Sequence, residues 1–578
     1  MEDRMKPVNL FFGSFLAISI LSGCATVPQP AHSGADETVE QLSKGPVLPN
    51  IELTPELLND LFVAEVALQR AQYPTAVGYY TRLAKKTQDP RLVERATRIA
   101  VFAREYQVAM ELGKLLIKLD PTNVGAGQIL TTLLLKAGDY DAALESLEQV
   151  VQQSIEGETS RYLMMMRLLG REQDKDGALQ VMQRFVDRHP DDNAGLYAYA
   201  QLALRAGEPD KAEQAVDDLL QKKPDWSQAV ILRARIMEAT NRELAALEYM
   251  GQVVDRNGKD MELRIAYGRM LVGVDRPEEA LTQFHKVLKA DPENNDILFA
   301  AGMVALRVDN VDEARGYFLN LNDRAVRLDE TGFNLGRIEE IKENYPRAIR
   351  WYSTVSRGEY YINAQIRSAL LYARQGDVDA ARAHLHAAQA RSPGQKLQLF
   401  LAEGEILRDV GHFEEAMAVY DHALKDVPDN TELLYARAMV AERLGHIDWL
   451  ERDLLSVLER EPDHVDALNS LGYTLADRTD RLDEAYAYVK RALELRPDSF
   501  YIMDSMGWVL YRQGKLDEAL SYLRKAIQAK PDSEIAAHLG EVLWVKGDKD
   551  AARDIWHKAL KQSPESSALL DTIKRLEQ

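Results

Sequence analysis

The sequence predicts an all-α solenoid, a fold in which short helix pairs pack one after another along the chain. Prolines recur every 33 to 35 residues, at Pro393, Pro428, Pro462, Pro497, Pro531 and Pro564. Between them an alanine recurs in constant phase, and an aromatic residue often follows it four positions later. A period of this length, with apolar residues at helical spacing inside it, indicates a repeated helix–turn–helix unit.

The stretch from Phe500 to Pro531 shows the unit most clearly. Gly507 lies in one helical pattern, and Ala519 and Ala526 lie in a second. The turn residues 513–515, Gln-Gly-Lys, separate the two patterns. Small residues at these places let two helices approach closely, and larger apolar neighbours fill the grooves between them.

The same phase recurs along most of the chain. The alanine that opens the second helix is found at Ala280, Ala314, Ala348, Ala381, Ala416, Ala485, Ala519 and Ala552, and in weaker copies at Ala76, Ala109, Ala143, Ala178, Ala212 and Ala246. This register resembles the tetratricopeptide repeat family. The resemblance implies a right-handed superhelix over residues 51–578, with about 15 helix pairs and a C-terminal capping helix near Ser566–Leu576.

Residues 1–23 are predicted to be an export signal. Arg4 and Lys6 precede an apolar run from Val8 to Ile20, which is short for a membrane span. The run ends in Leu21, Ser22, Gly23 and Cys24, which resemble the bacterial lipobox. The resemblance implies cleavage before Cys24 and its lipidation, and Ala25 in the next position implies the outer membrane, facing the periplasm. The alternative is an ordinary signal peptide with an incidental cysteine.

Residues 24–50 are predicted to form a disordered tether behind the lipidated cysteine. They hold four prolines and no apolar periodicity, so they lack the means to bury a core.

Folding is expected to resume at Thr54 and Pro55, a helix N-cap followed by a first-turn proline. The helix after them carries apolar residues on more than one face, including Leu57, Leu58, Leu61 and Phe62. A terminal repeat needs a polar outer face. We therefore expect these residues to dock on a partner protein, unless the chain itself or a second copy covers them.

No catalytic motif is recognisable. The chain has no His-Glu-x-x-His, Gly-x-Ser-x-Gly or phosphate-loop pattern, and the pair His384 and His386 points to different sides of a helix. We expect a protein that is not an enzyme and needs no cofactor or metal. The formal net charge of −20 disfavours nucleic acid as a partner.

Aromatic side chains are the candidate ligand contacts. In the family that the chain resembles, first helices line the concave groove, and its groove-facing positions correspond here to Tyr473, Tyr501, Trp508, Tyr511 and Trp544. Aromatic residues bury much area at low entropic cost, which suits protein recognition. The alternative is packing between helices of the groove wall. The basic carboxylate clamp of chaperone-binding members is not matched, because Asn469, Asp504 and Ala537 occupy those positions.

The lipobox, the tether and the long array together resemble outer-membrane repeat lipoproteins that bind a periplasmic carboxyl-terminal processing protease. The resemblance implies an adaptor that presents protein substrates, among them peptidoglycan cross-link hydrolases, to that serine protease. The alternative is a structural scaffold for envelope assembly, such as exopolysaccharide export or outer-membrane protein insertion.

Overall fold

The computed structural model describes residues 48–153, 157–170, 172 and 174–577. These residues contain 31 α-helices and no strand. The helices form fifteen consecutive pairs followed by one final helix, so the predicted all-α repeat fold and its number of units are confirmed. The predicted signal peptide, the lipobox with Cys24 and most of the predicted tether lie outside the described residues. Residues 48–50 of the tether have no regular secondary structure.

The described residues divide into two compact units between residues 246 and 247, inside one helix. The first unit holds α1 (Pro55–Gln69), α2 (Tyr73–Thr87), α3 (Pro90–Phe102), α4 (Tyr106–Leu119), α5 (Val124–Lys136), α6 (Tyr140–Gln153), α7 (Glu158–Leu169), α8 (Lys175–Arg188), α9 (Asn193–Ala206), α10 (Pro209–Lys222), α11 (Ser227–Ala239) and the start of α12 (Glu243–Arg256).

The second unit holds the remainder of α12 and the helices of the better-matched repeats. They are α13 (Met261–Gly273), α14 (Pro277–Ala290), α15 (Asn295–Arg307), α16 (Val311–Asp323), α17 (Leu328–Ile341), α18 (Tyr345–Tyr352), α19 (Tyr360–Arg374), α20 (Val378–Ala387), α21 (Pro393–Asp409), α22 (Phe413–Asp426), α23 (Thr431–Arg443), α24 (Ile447–Arg460), α25 (Val465–Arg478), α26 (Leu482–Leu495), α27 (Phe500–Arg512), α28 (Leu516–Ala529), α29 (Ser533–Lys546), α30 (Lys549–Gln562) and α31 (Ser567–Glu577).

Helix starts follow the expected local chemistry. The Thr54 hydroxyl accepts a hydrogen bond from the Leu57 amide at 3.3 Å, and Pro55 opens α1. Prolines also stand in the first turn of the second helices α2, α10, α14 and α18. Proline suits this place because its missing N–H has no partner in a first turn.

A close helix contact holds each pair together. The phase-marking alanines of the second unit are fully buried. In several of its pairs an aromatic ring of the second helix lies over a glycine of the first, and in two others Val489 and Leu523 lie over Gly472 and Gly507. In one pair, a Cβ on Gly302 would lie 2.9 Å from the ring of Phe318. Gly268 has the same relation to Phe284, at 2.6 Å. The glycine removes the side chain that would keep the two helices apart.

Two second helices are shorter than the repeat predicts. α18 has 8 residues and α20 has 10, whereas most other second helices of this unit have 14. Pro393 also differs from its expected role, because it opens α21 and does not lie in a loop between units. The fixed φ of Pro393 suits a first helical turn, and the Ser392 hydroxyl accepts a hydrogen bond from the Gln395 amide. α21 therefore begins earlier than the repeat predicts.

The glycine–aromatic contact generates a paired prediction within one repeat. Gly302→Ala should destabilise the protein by about 1–3 kcal/mol, because the added methyl group meets a fully buried ring. Gly316→Ala, on α16 with open space around its Cβ position, should stabilise it by up to ~1 kcal/mol through helix propensity. Urea unfolding measures both. Equal effects of the same sign would contradict this account of the contact.

Candidate functional site

The first helices of the C-terminal repeats form a continuous surface. α25 contacts α27, α27 contacts α29, and α29 contacts α31. Side chains of these helices form what we call the C-terminal aromatic cluster, made of Tyr473, Trp508, Tyr511 and His538. The three aromatic residues were predicted from the sequence as ligand contacts, and the structure brings them together around the histidine.

His538 is the centre of the cluster. Its ring stacks on Trp508 with centroids 4.3 Å apart and an interplanar angle of 29°, and Tyr473 lies 6.1 Å away. Its Nδ1 lies 3.0 Å from each carboxylate oxygen of Asp504. His538 and Asp504 are both buried, so the pair fixes the register of α27 against α29 through a charge-assisted hydrogen bond.

A second network holds the other end of the cluster. The Tyr511 hydroxyl donates to a Glu541 oxygen at 3.0 Å, and Arg575 of α31 pairs with the same carboxylate. The Trp508 indole N–H donates to Asp477 at 3.2 Å. The Trp508 indole N–H and the Tyr511 hydroxyl are therefore already bound. Trp508 is only 8% exposed, so its ring serves packing between helices, as the alternative interpretation of the sequence expected. Tyr473 and Tyr511 are half-buried, and they offer the ring surface that a ligand can contact.

The electrostatics of the cluster favour protonated groups. Burial by itself lowers the pKa of His538, but the carboxylates of Asp504, Glu534 and Glu541 outweigh it and raise the pKa above its usual value. Desolvation and Glu541 raise the pKa of Tyr511 to about 12. Glu534, beside the cluster, is exposed to solvent on one side. Desolvation by the surrounding protein raises the pKa of its carboxyl group.

The other two predicted aromatic residues lie elsewhere. The Tyr501 hydroxyl donates to Asp466 at 2.9 Å and accepts from Arg496 at 2.9 Å. Trp544 packs 5.7 Å from Trp556, with the Lys549 ammonium 4.5 Å from its ring. The Tyr501 contact joins the neighbouring first helices α25 and α27, and the Trp544 contact joins the two helices of one pair. Both residues therefore serve packing between helices.

The sequence reasoning missed the role of His538. A signal was present, because Asp504 and His538 lie 34 residues apart, which is one repeat. Two residues one period apart occupy the same register on neighbouring first helices. An acid and a base at such a spacing predict a contact between repeats.

The four predicted residues of α1 divide between the core and the surface. Leu57 is only 5% exposed and packs in the core of the first unit, and Leu61 is half-buried. Leu58 is 53% exposed and Phe62 is 68% exposed. Leu53, just before the helix, is 68% exposed. We call Leu53, Leu58 and Phe62 the N-terminal apolar surface.

The predicted histidine pair has separate environments. His386 lies 2.9 Å from Glu403, whereas His384 lies near the ring of Tyr372 and has its pKa lowered by burial. In the described part of the chain, no three His, Cys, Asp or Glu side chains are grouped as metal ligands. No helix in the same residues combines the length and apolarity needed to cross a bilayer.

The His538–Asp504 pair predicts a pH-dependent contribution to stability. Because the pKa of His538 is raised by folding, this contribution is complete below its usual pKa near 6.5 and is lost as the pH rises through the folded-state value. Asp504→Asn should cost on the order of 1–3 kcal/mol at pH 5.5 and less at pH 8.5. Chemical unfolding at the two pH values, with Asp498→Asn in an exposed turn as the control, measures this. A larger cost at pH 8.5 would contradict the assignment.

Comparisons with known proteins place the repeats in a family. Tetratricopeptide repeat models match residues 171–236, 265–325, 364–387, 401–448, 463–532 and 505–567. The chain is 35% identical over 529 residues to the TPR repeat-containing protein PA4667 of Pseudomonas aeruginosa, covering 90% of this chain and 88% of that protein. It is 26% identical over 228 residues to cellulose synthase 2 operon protein C of Komagataeibacter xylinus, covering 39% of this chain and 16% of that protein.

Among solved structures, the crystal structure of the APC/C hetero-tetramer Cut9–Hcn1 is similar, with 15% sequence identity and a TM-score of 0.31. That match covers 85% of this chain and 97% of the other. The family models and the Pseudomonas relative agree with the repeat register and with the all-α architecture. The chain belongs to the tetratricopeptide repeat family, whose arrays bind protein partners.

Proposed function

We propose that this protein is a non-enzymatic adaptor that binds other proteins from a lipid anchor on the outer membrane, facing the periplasm. The observation that carries the proposal is the N-terminal apolar surface. An end helix of a repeat array needs a polar outer face for solubility, yet Leu58 and Phe62 on α1, and Leu53 just before it, are each more than half exposed. Leu58 and Phe62 share one helix face at i and i+4, and neighbouring exposed apolar side chains mark interaction sites.

The proposed partner is a periplasmic carboxyl-terminal processing protease together with its protein substrates. The proposal is supported by the resemblance of the lipobox, tether and array to the outer-membrane lipoprotein LbcA. It is also supported by the absence of a recognisable catalytic motif in the sequence. The adaptor would act by effective concentration, holding protease and substrate on one scaffold, while the partner carries out the bond cleavage. The proposed substrates include peptidoglycan cross-link hydrolases.

Two separate surfaces suit such an adaptor. The N-terminal apolar surface is the proposed site for a lasting partner, because permanent interfaces are the more apolar ones. The C-terminal aromatic cluster, through the half-buried rings of Tyr473 and Tyr511 and the exposed Glu534 beside them, is the proposed site for a second protein. The lipid chain on Cys24 would keep both close to the bilayer.

The first test addresses the N-terminal apolar surface. Leu58→Glu/Phe62→Glu should weaken capture of the protease at least tenfold, because burial of each side chain contributes about 1.5–3 kcal/mol. Leu57 must be left intact because it belongs to the core. Leu244→Glu, at a side chain that is 78% exposed on α12, is the matched control. Co-purification with a tagged chain gives the measurement, and undiminished capture by the double variant would reject this surface.

The second test addresses the activity. The purified protein alone should cleave none of the hydrolase substrates, and its addition should speed their degradation by the protease several-fold. Gel-based substrate loss over time measures both. Two results together would favour the alternative role as a scaffold for envelope assembly. The adaptor would leave the rate of degradation unchanged, and an integral membrane complex would co-purify with it in place of a protease.

A further inference from the structure

The short helix α18 borders a small pocket rich in arginine. The pocket has a volume of about 360 Å³ and is lined by Arg315, Arg347, Arg350, Trp351 and Thr354. Arg315 comes from α16 and the other residues from α18 and the turn after it. We call this the arginine pocket.

Two of the three arginines have no acidic partner in the described part of the chain. Arg315 donates through Nε to Glu339 at 2.9 Å, and that carboxylate is almost completely buried. Arg347 and Arg350 are exposed and form no ion pair with any described residue. The pocket therefore carries an uncompensated positive charge, although the protein as a whole has a net charge of −20.

The repeat register shows that this charge is an exception. The position just before the phase-marking alanine is occupied by Arg347 in this repeat, whereas five other repeats of the second unit carry a glutamate there: Glu279, Glu313, Glu415, Glu484 and Glu518. Two positions after the alanine, Arg350 replaces threonine, glycine, alanine, serine or aspartate. The charge of the repeat is inverted at one place in the array.

Folding does not account for the inversion. A helix N-terminus favours acidic side chains, and the first turns of α14, α16, α20, α22, α26 and α28 contain them. The first turn of α18 has no acidic residue and holds Arg347 instead. Arg347 and Arg350, which have no acidic partner among the described residues, also repel one another beside the pocket. An anionic ligand would remove both penalties.

We propose that the arginine pocket binds a single phosphate group. Guanidinium groups donate in planar forks that match phosphate and carboxylate oxygens. One such fork is enough for the two oxygens of a carboxylate, whereas three arginines suit the larger set of acceptors on a phosphate. The acidic surface of the remaining protein disfavours a long polyanion such as nucleic acid.

Two sources of this chemistry fit, a soluble phosphate compound and the headgroup of a phospholipid. Isothermal titration calorimetry of the full-length protein in a non-ionic detergent, in phosphate-free buffer, distinguishes them. One titration uses inorganic phosphate and the other uses glycerophosphoglycerol, a soluble headgroup. Tighter binding of the headgroup assigns the lipid source, and tighter binding of inorganic phosphate assigns the soluble one.

The decisive variant is Arg347→Glu/Arg350→Glu. It restores, just before the phase-marking alanine, the glutamate that five other repeats carry there. It should weaken phosphate binding at least tenfold while keeping helicity and unfolding temperature. Arg524→Glu, on α28 with an exposed arginine that forms no ion pair with described residues, should leave binding unchanged. If the glutamate variant unfolds, Arg347→Gln/Arg350→Gln replaces it. Non-saturable binding of phosphate, equal binding by a folded double variant, or equally tight binding of acetate would each overturn the proposal.

Discussion

The structure depends on one constraint, which is that no helix pair of this chain buries its apolar faces by itself. In most pairs of the second unit, the second helix places a large side chain over a glycine of its partner, and the remaining apolar stripe packs on the next pair. In the pair α15 and α16, Gly302 and Phe318 make the first contact and Leu321 continues the core toward the following repeat. Stability then arises from a sum of similar neighbour contacts, as expected for a repeat array.

This constraint explains where variation is tolerated. The buried marker alanines and the close glycine contacts recur, because any enlargement there separates two helices. The first-helix faces and the ends of second helices are free to differ between repeats. The functional candidates fall in those places. The C-terminal aromatic cluster lies on successive first helices, the N-terminal apolar surface lies on an end helix, and the arginine pocket lies where α18 stops early.

The polar contacts between repeats follow the same geometry. Asp504 and His538 occupy equal register on α27 and α29, and Tyr511 reaches Glu541 across the same pair of helices. Buried charge pairs add little net stability but strongly penalise a shifted register. In a repeat protein, where neighbouring helices are nearly alike, such pairs help to specify which surface faces its neighbour.

The sequence by itself determined the period, the helix pairs, their number and most helix starts, because these depend on spacing and on local capping chemistry. The family resemblance placed five aromatic residues in one groove, and of these the structure brings together only Tyr473, Trp508 and Tyr511. Only the tertiary structure decided that His538 joins them, that Leu57 is buried while Phe62 is exposed, and that α18 and α20 end early. The reason is physical. Burial and side-chain convergence depend on how neighbouring helices approach, and that approach is set by contacts between residues about 34 positions apart.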